Sequence, residues 1–116
     1  MDKQIVTFRA NNGQDLWLTS EFKTYAANTI NYIEAHFLLG DHWREYQRIM
    51  AVWYTDLCQR SSEIDSNGIT IIPAAVLTRP GILKMNLCAD TIENDVLTAR
   101  MTSYPVKALE LARNHA

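Results

Sequence analysis

Few side chains in this sequence are spaced for reactive or metal chemistry. His36, His42 and His115 share no interval that would let two imidazoles reach one metal ion, and none has a cysteine beside it. Glu63, Asp65, Asn67 and Gly68 echo the first positions of an EF-hand calcium loop, but Ala74 stands where the bidentate glutamate belongs. A tight turn accounts for them better. Asp90, Glu93 and Asp95 could hold a weak cation, although a solvated loop explains three nearby acids as well. Ser61 and Ser62 lie in no GxSxG elbow, and the four glycines stand singly, so neither a nucleophile elbow nor a phosphate-cradling loop is present. Cys58 and Cys88, 30 residues apart, fit neither a zinc knuckle nor a redox pair. They read as free buried thiols; facing one another across two sheets they could bridge, but a chain that is not exported would stay reduced. The expectation is a protein that is not an enzyme, with no catalytic residues, no cofactor and no metal.

Aromatic side chains carry more information. Trp17, Trp43, Trp53, Tyr46 and Tyr54 could form a core, or a surface that stacks sugars or docks proteins. Trp43 and Tyr46 flank the charged pair Arg44-Glu45, which makes Trp43, Arg44 and Tyr46 the expected interaction surface. Leu109 and Leu111, in the C-terminal tail, join them as apolar groups in need of a cover.

The framework around these residues reads mostly as strand. Residues 4 to 8 alternate, and Asn11-Asn12-Gly13 supplies a turn before Leu16-Trp17-Leu18. Residues 20 to 29 are weakly patterned and suit an edge. Ile33, Ala35, Phe37 and Leu39 share one face of a strand, with Glu34, His36 and Leu38 on the other. Residues 41 to 57 are ambiguous. Trp43, Tyr46, Ile49, Met50, Trp53 and Leu57 recur at helical spacing with Asp41 as a cap, yet residues 49 to 55 are rich in β-branched and aromatic types. Asn67-Gly68 between apolar runs predicts a hairpin, and Pro73 ends the strand over residues 69 to 72. Residues 74 to 78 fit one helical turn opening at Pro73. A long strand follows from Ile82 with Leu83, Met85, Leu87 and Ala89 inward, then a polar connection over residues 90 to 95 and a last strand over residues 96 to 104. Pro105 can open a short helix over residues 106 to 116. The core is expected to comprise Phe37, Trp53, Ile71, Leu83, Met85 and Leu87.

At 116 residues the chain has the length of one domain. Its 47% hydrophobic and 21% charged composition is that of a soluble globular fold. A net charge of −2 gives no electrostatic footprint for nucleic acid, and no apolar run is long enough for membrane insertion. The opening MDKQIVTFRA lacks the apolar stretch of a secretory leader. Many short strands with little room for crossover helices predict an antiparallel β-sandwich over residues 1–105, with 106–116 as a helical tail or linker.

The order of features resembles the N-terminal domain of phage baseplate upper proteins. The shared marks are Ala35-x-Phe37-x-Leu39, Asp41-x-Trp43 and an apolar strand over residues 51 to 53. They continue with Asn67-Gly68, Ile72-Pro73-x-x-Val76-Leu77, Pro80-Gly81-x-Leu83-x-Met85-x-Leu87 and Arg100-x-Thr102, so the resemblance spans residues 30 to 105. Glu45 departs from it, standing where that family carries glycine. The resemblance implies an immunoglobulin-like sandwich in which residues 47 to 54 form a strand. It also implies a virion structural protein, made in the bacterial host cytoplasm, that docks onto other phage virion proteins in a baseplate, tail fibre or head fibre. Leu109, Leu111 and Ala112 cannot be buried by so short a helix on its own, so the tail either folds back on the domain or meets copies of itself; a homo-oligomer is expected, and the resemblance favours a trimer. The alternative expectation is a carbohydrate-binding module that presents Trp43 and Tyr46 to host-surface sugars.

Overall fold

The computed structural model describes residues 4–113, so His115 and the end of the tail lie outside the described residues. In chain order the elements are β1 (Gln4–Ala10), β2 (Leu16–Leu18), β3 (Thr24–Ala26) and β4 (Ile33–Leu39), then the single turn α1 (Asp41–Arg44) and β5 (Arg48–Tyr54). After these come β6 (Gln59–Glu63), β7 (Ile69–Ile71), a 3-10 turn (Ala74–Leu77), β8 (Gly81–Glu93), β9 (Val96–Thr102) and β10 (Val106–Ala112). The fold is an all-β sandwich. One sheet has the order β2-β1-β4-β7, and the other has β3-β10-β8-β5-β6 with β9 paired to β8.

The alternation read in β4 holds: Ile33, Ala35, Phe37 and Leu39 are all buried. Phe8 stacks on Phe37 within its sheet at 5.0 Å and meets Trp53 of the opposite sheet edge-on at 6.0 Å, so the two inner faces share one core. Of the expected core residues, Phe37, Trp53, Leu83, Met85 and Leu87 are buried. Ile71 is the exception. The run Ile69-Thr70-Ile71-Ile72 is β-branched throughout, and its one polar member, Thr70, is the residue that is buried, so apolar-polar alternation points Ile71 the wrong way. Pairing sets the phase instead: Ile71 lies opposite Glu34 on the outer face of β4, while Thr70 and Ile72 turn inward.

Two pairings are parallel, against the expected antiparallel ladder. β1 runs beside β4 from Gln4↔Ile33 to Ala10↔Leu39, and β3 runs beside β10. Between β1 and β4 the chain crosses to an edge of the other sheet to make β3, and that long return lets β4 lie parallel to β1.

The stretch around Asn67-Gly68 is not a hairpin. β6 pairs with β5 and β7 pairs with β4, so the turn carries the chain from one sheet to the other. Its local chemistry is still that of a tight turn. One carboxylate oxygen of Asp65 accepts the N–H groups of Asn67 and Ile69, at 2.9 and 3.0 Å. Gly68 has φ +80°, and a Cβ there would lie 2.5 Å from the Phe37 carbonyl oxygen. The 3-10 turn that returns the chain buries Val76 and Leu77 at the end of the sandwich.

Residues 41 to 54 satisfy both readings in succession. Asp41–Arg44 makes one helical turn and Arg48–Tyr54 is a strand. Asp41 is not the cap. Gly40 occupies that position, and Asn12 from the β1–β2 loop supplies the acceptor for the His42 N–H at 3.0 Å.

The C-terminal segment is the largest correction. Val106–Ala112 is a strand and not a helix; it lies between β3 and β8 in the larger sheet and belongs to the sandwich. A register shift between Lys107 and Leu109 leaves Ala108 and Leu109 both buried, and that irregularity erases period two and imitates helical spacing.

Candidate functional site

The expected interaction surface does not assemble. Trp43 is wholly buried, and its indole N–H donates to the carbonyl oxygen of Asn11 at 2.8 Å, pinning α1 under the β1–β2 loop. Leu109 and Leu111 are core residues, because β10 is an inner strand. Arg44 is exposed and Tyr46 half-buried, with the His42 ring edge-on to Tyr46 at 5.9 Å. Arg44 and Tyr46 line an open groove of about 550 Å³ with Arg48, Glu63 and Asp65. Docking by Trp43 or by the two leucines is excluded by their burial.

Two surfaces that sequence reasoning missed are more prominent. The first is an arm. β8 is 13 residues long, and β9 pairs only with its outer part, from Cys88↔Thr102 to Glu93↔Val96. The pairing of β5 with β8 ends at Asp90, so beyond that residue β8 and β9 continue alone. The expected polar connection over residues 90 to 95 is therefore mostly strand. Asn94 and Asp95, with φ of 51° and 63°, close it as a two-residue turn, a geometry these residue types tolerate. Ile92, Val96 and Leu97 are exposed along the arm, and Glu93 and Asp95 charge its tip. The signal for it was present: Asn94-Asp95 set between Ile92 and Val96-Leu97 is a hairpin pattern.

The root of the arm is firmly held. Asp90 is buried and takes two hydrogen bonds from the Arg48 guanidinium, at 3.2 and 3.0 Å. Hydrogen bonding to Asp90, and then its negative charge, raise Arg48 above the ordinary arginine pKa. Gln47 clamps the free edge of β8: its N–H donates to the Thr91 hydroxyl, and its side-chain oxygen accepts the Ile92 N–H. Where β9 gives way to β10, Ser103 bonds back to Leu87, and the Tyr104 N–H turns away to the Gln14 carbonyl oxygen.

The second surface is the solvent face of the smaller sheet. Trp17 is 44% exposed, whereas Trp43 and Trp53 are fully buried. Register places Trp17 beside Arg9, which in turn neighbours Leu38, and the Thr7 and Thr19 hydroxyls meet at 2.8 Å nearby. Arg9, Asn11, Trp17 and Thr19 line a shallow hollow there. Further along, Glu34 joins His36 at 2.9 Å and accepts the Tyr32 hydroxyl at 3.0 Å. The alternation in Leu16-Trp17-Leu18 could have given the outward direction of Trp17, since Leu16 is buried.

The remaining chemical candidates stay apart. Among the described residues no group of three or more His, Cys, Asp or Glu is placed to hold a metal ion. Cys58 and Cys88 are free and half-buried. No described helix is long and apolar enough to cross a membrane. No family model matches the chain, and no curated protein matches it in sequence.

Proposed function

We propose that this chain is a non-enzymatic virion structural protein, an attachment module of a phage baseplate, tail fibre or head fibre that docks onto other virion proteins. The observation that supports this reading is the β8–β9 arm, which exposes Ile92, Val96 and Leu97 on a two-stranded ribbon clear of the core. Such ribbons are marginal alone, and an exposed apolar edge invites pairing with another chain. The bidentate Arg48–Asp90 pair, the Gln47 clamp and the Ser103 contact all fix the direction of the arm, which suits a contact made in assembly. The test is mass spectrometry of purified particles from cells that express the gene. The chain should be present at a fixed copy number per particle, and fully infectious particles without it would sink the proposal.

A second reading, a carbohydrate-binding module, is favoured by Trp17 rather than by Trp43. An exposed indole beside a guanidinium and a pair of hydroxyls suits a sugar ring stacked on its face and bonded at its edge. A glycan screen with Trp17→Ala decides it: a saturable ligand lost in that variant supports the reading, and the absence of any ligand removes it.

A further inference from the structure

The two ends of the molecule are complementary in charge. β8 alone spans about 40 Å at ~3.3 Å per residue, most of the 51 Å long axis of a molecule 26 and 25 Å across. At its C-terminal end stands the arm tip with Glu93 and Asp95. At its N-terminal end, next to Gly81, the β5–β6 turn and the 3-10 turn enclose a hollow of about 360 Å³. Arg60, Arg79, Thr55, Thr78 and Leu57 are among its lining residues. Among the described residues neither Arg60 nor Arg79 makes an ion pair, and Leu57 is 65% exposed. Asp56 lies in the same turn but does not line the hollow.

We propose that the arm tip of one copy seats in this basic end hollow of the next, so that copies join head to tail. Glu93 and Asp95 meet Arg60 and Arg79, while Val96 and Leu97 cover Leu57. Guanidinium groups suit carboxylates because their paired donors match the two oxygens, and an apolar flank keeps water from the pairs. Both surfaces lie on every copy but at opposite ends, so the contact is heterologous. A contact of that kind closes into a ring if each step rotates appropriately and otherwise grows as a filament. This inference rests on the assembly reading above and names the chain itself as one partner of the arm.

Sedimentation of the full chain in ~0.05 M and ~0.5 M salt tests it, with association expected to be at least about ten-fold weaker in the higher salt. Two variants sharpen the test. Arg60→Glu with Arg79→Glu reverses the hollow. Glu93→Lys with Asp95→Asn reverses the tip and keeps a turn-tolerant residue at position 95. Each variant alone sets like charge against like and should be monomeric, with a native circular dichroism spectrum. Mixed in equal amounts they should associate again, because the reversed tip meets the reversed hollow and the unaltered tip meets the unaltered hollow. A wild type that stays monomeric at high micromolar concentration in low salt overturns the proposal. So does an oligomer that either folded variant leaves intact, or a mixture of folded variants that fails to associate. Presence of the chain in purified particles is read separately, so the head-to-tail contact can fail while the attachment reading stands.

Discussion

Leu87 donates its backbone N–H to the Ser103 hydroxyl oxygen at 2.7 Å, and the Ser103 N–H returns to the Leu87 carbonyl oxygen at 2.9 Å. A side chain thus replaces one rung of the ladder where the partner of β8 passes from β9 to β10. On the inner face of β8, Leu83 and Leu87 are completely buried against the opposite sheet. Truncating either to alanine should cost about 2–5 kcal/mol, from lost transfer energy and an unfilled cavity. Ile71→Ala, on the outer face of β7, should stay within roughly 1 kcal/mol, as surface changes do. Urea denaturation of the three variants checks both statements. Equal losses at all three positions would contradict the facing assigned to β7. The leucines were legible from alternation alone, whereas Ile71 was not, because the buried position beside it is taken by the polar Thr70.

β8 is one strand with two environments. Residues 81–85 pair with β10 and residues 84–90 with β5, while residues 91–93 have β9 on one side and the Gln47 side chain on the other. Local opening follows the number of partners a segment has, so the arm should open without unfolding the sandwich. Amide hydrogen exchange should find Val96 at least about a hundred-fold less protected than Leu83 and Leu87. Equal protection of Val96 and the two leucines would mean that the arm is part of the cooperative core or is covered in solution. The turn of the arm was readable from Asn94 and Asp95, but its projection was not. That depends on where β5 ends, and β5 is distant in sequence.

Across the full sandwich, the last described strand closes the fold. β10 pairs with β8 and, through contacts such as Glu110 with Thr24 that span 86 residues of sequence, with β3. It brings Ala108, Leu109 and Leu111 into the core. A chain ending at Pro105 would lose an inner strand and leave β3 without a partner. It should show no cooperative thermal transition and poor amide dispersion by NMR. A stable, dispersed fold from residues 1–105 would instead make the last segment an appendage.

What is local in this fold could be read from the order of residues. Period two in β4 and β8 marked their buried faces, Pro73 marked the short helical turn, and turn residues marked where strands stop. Together these set the all-β class without help from distant residues. Partnership needed the folded chain. The parallel register of β1 with β4, the change of sheet over residues 65–68 and the phase of Ile71 each depend on a neighbour supplied by another part of the chain. Trp17 and Trp43 show the same division. Both are tryptophans near short polar segments, yet Trp43 is buried where the Asn11 carbonyl accepts its N–H, and Trp17 is exposed because Leu16 takes the inward position beside it. β10 was hidden for a related reason: its register shift breaks the alternation that local reading relies on, and only the strands on either side of it restore the pattern.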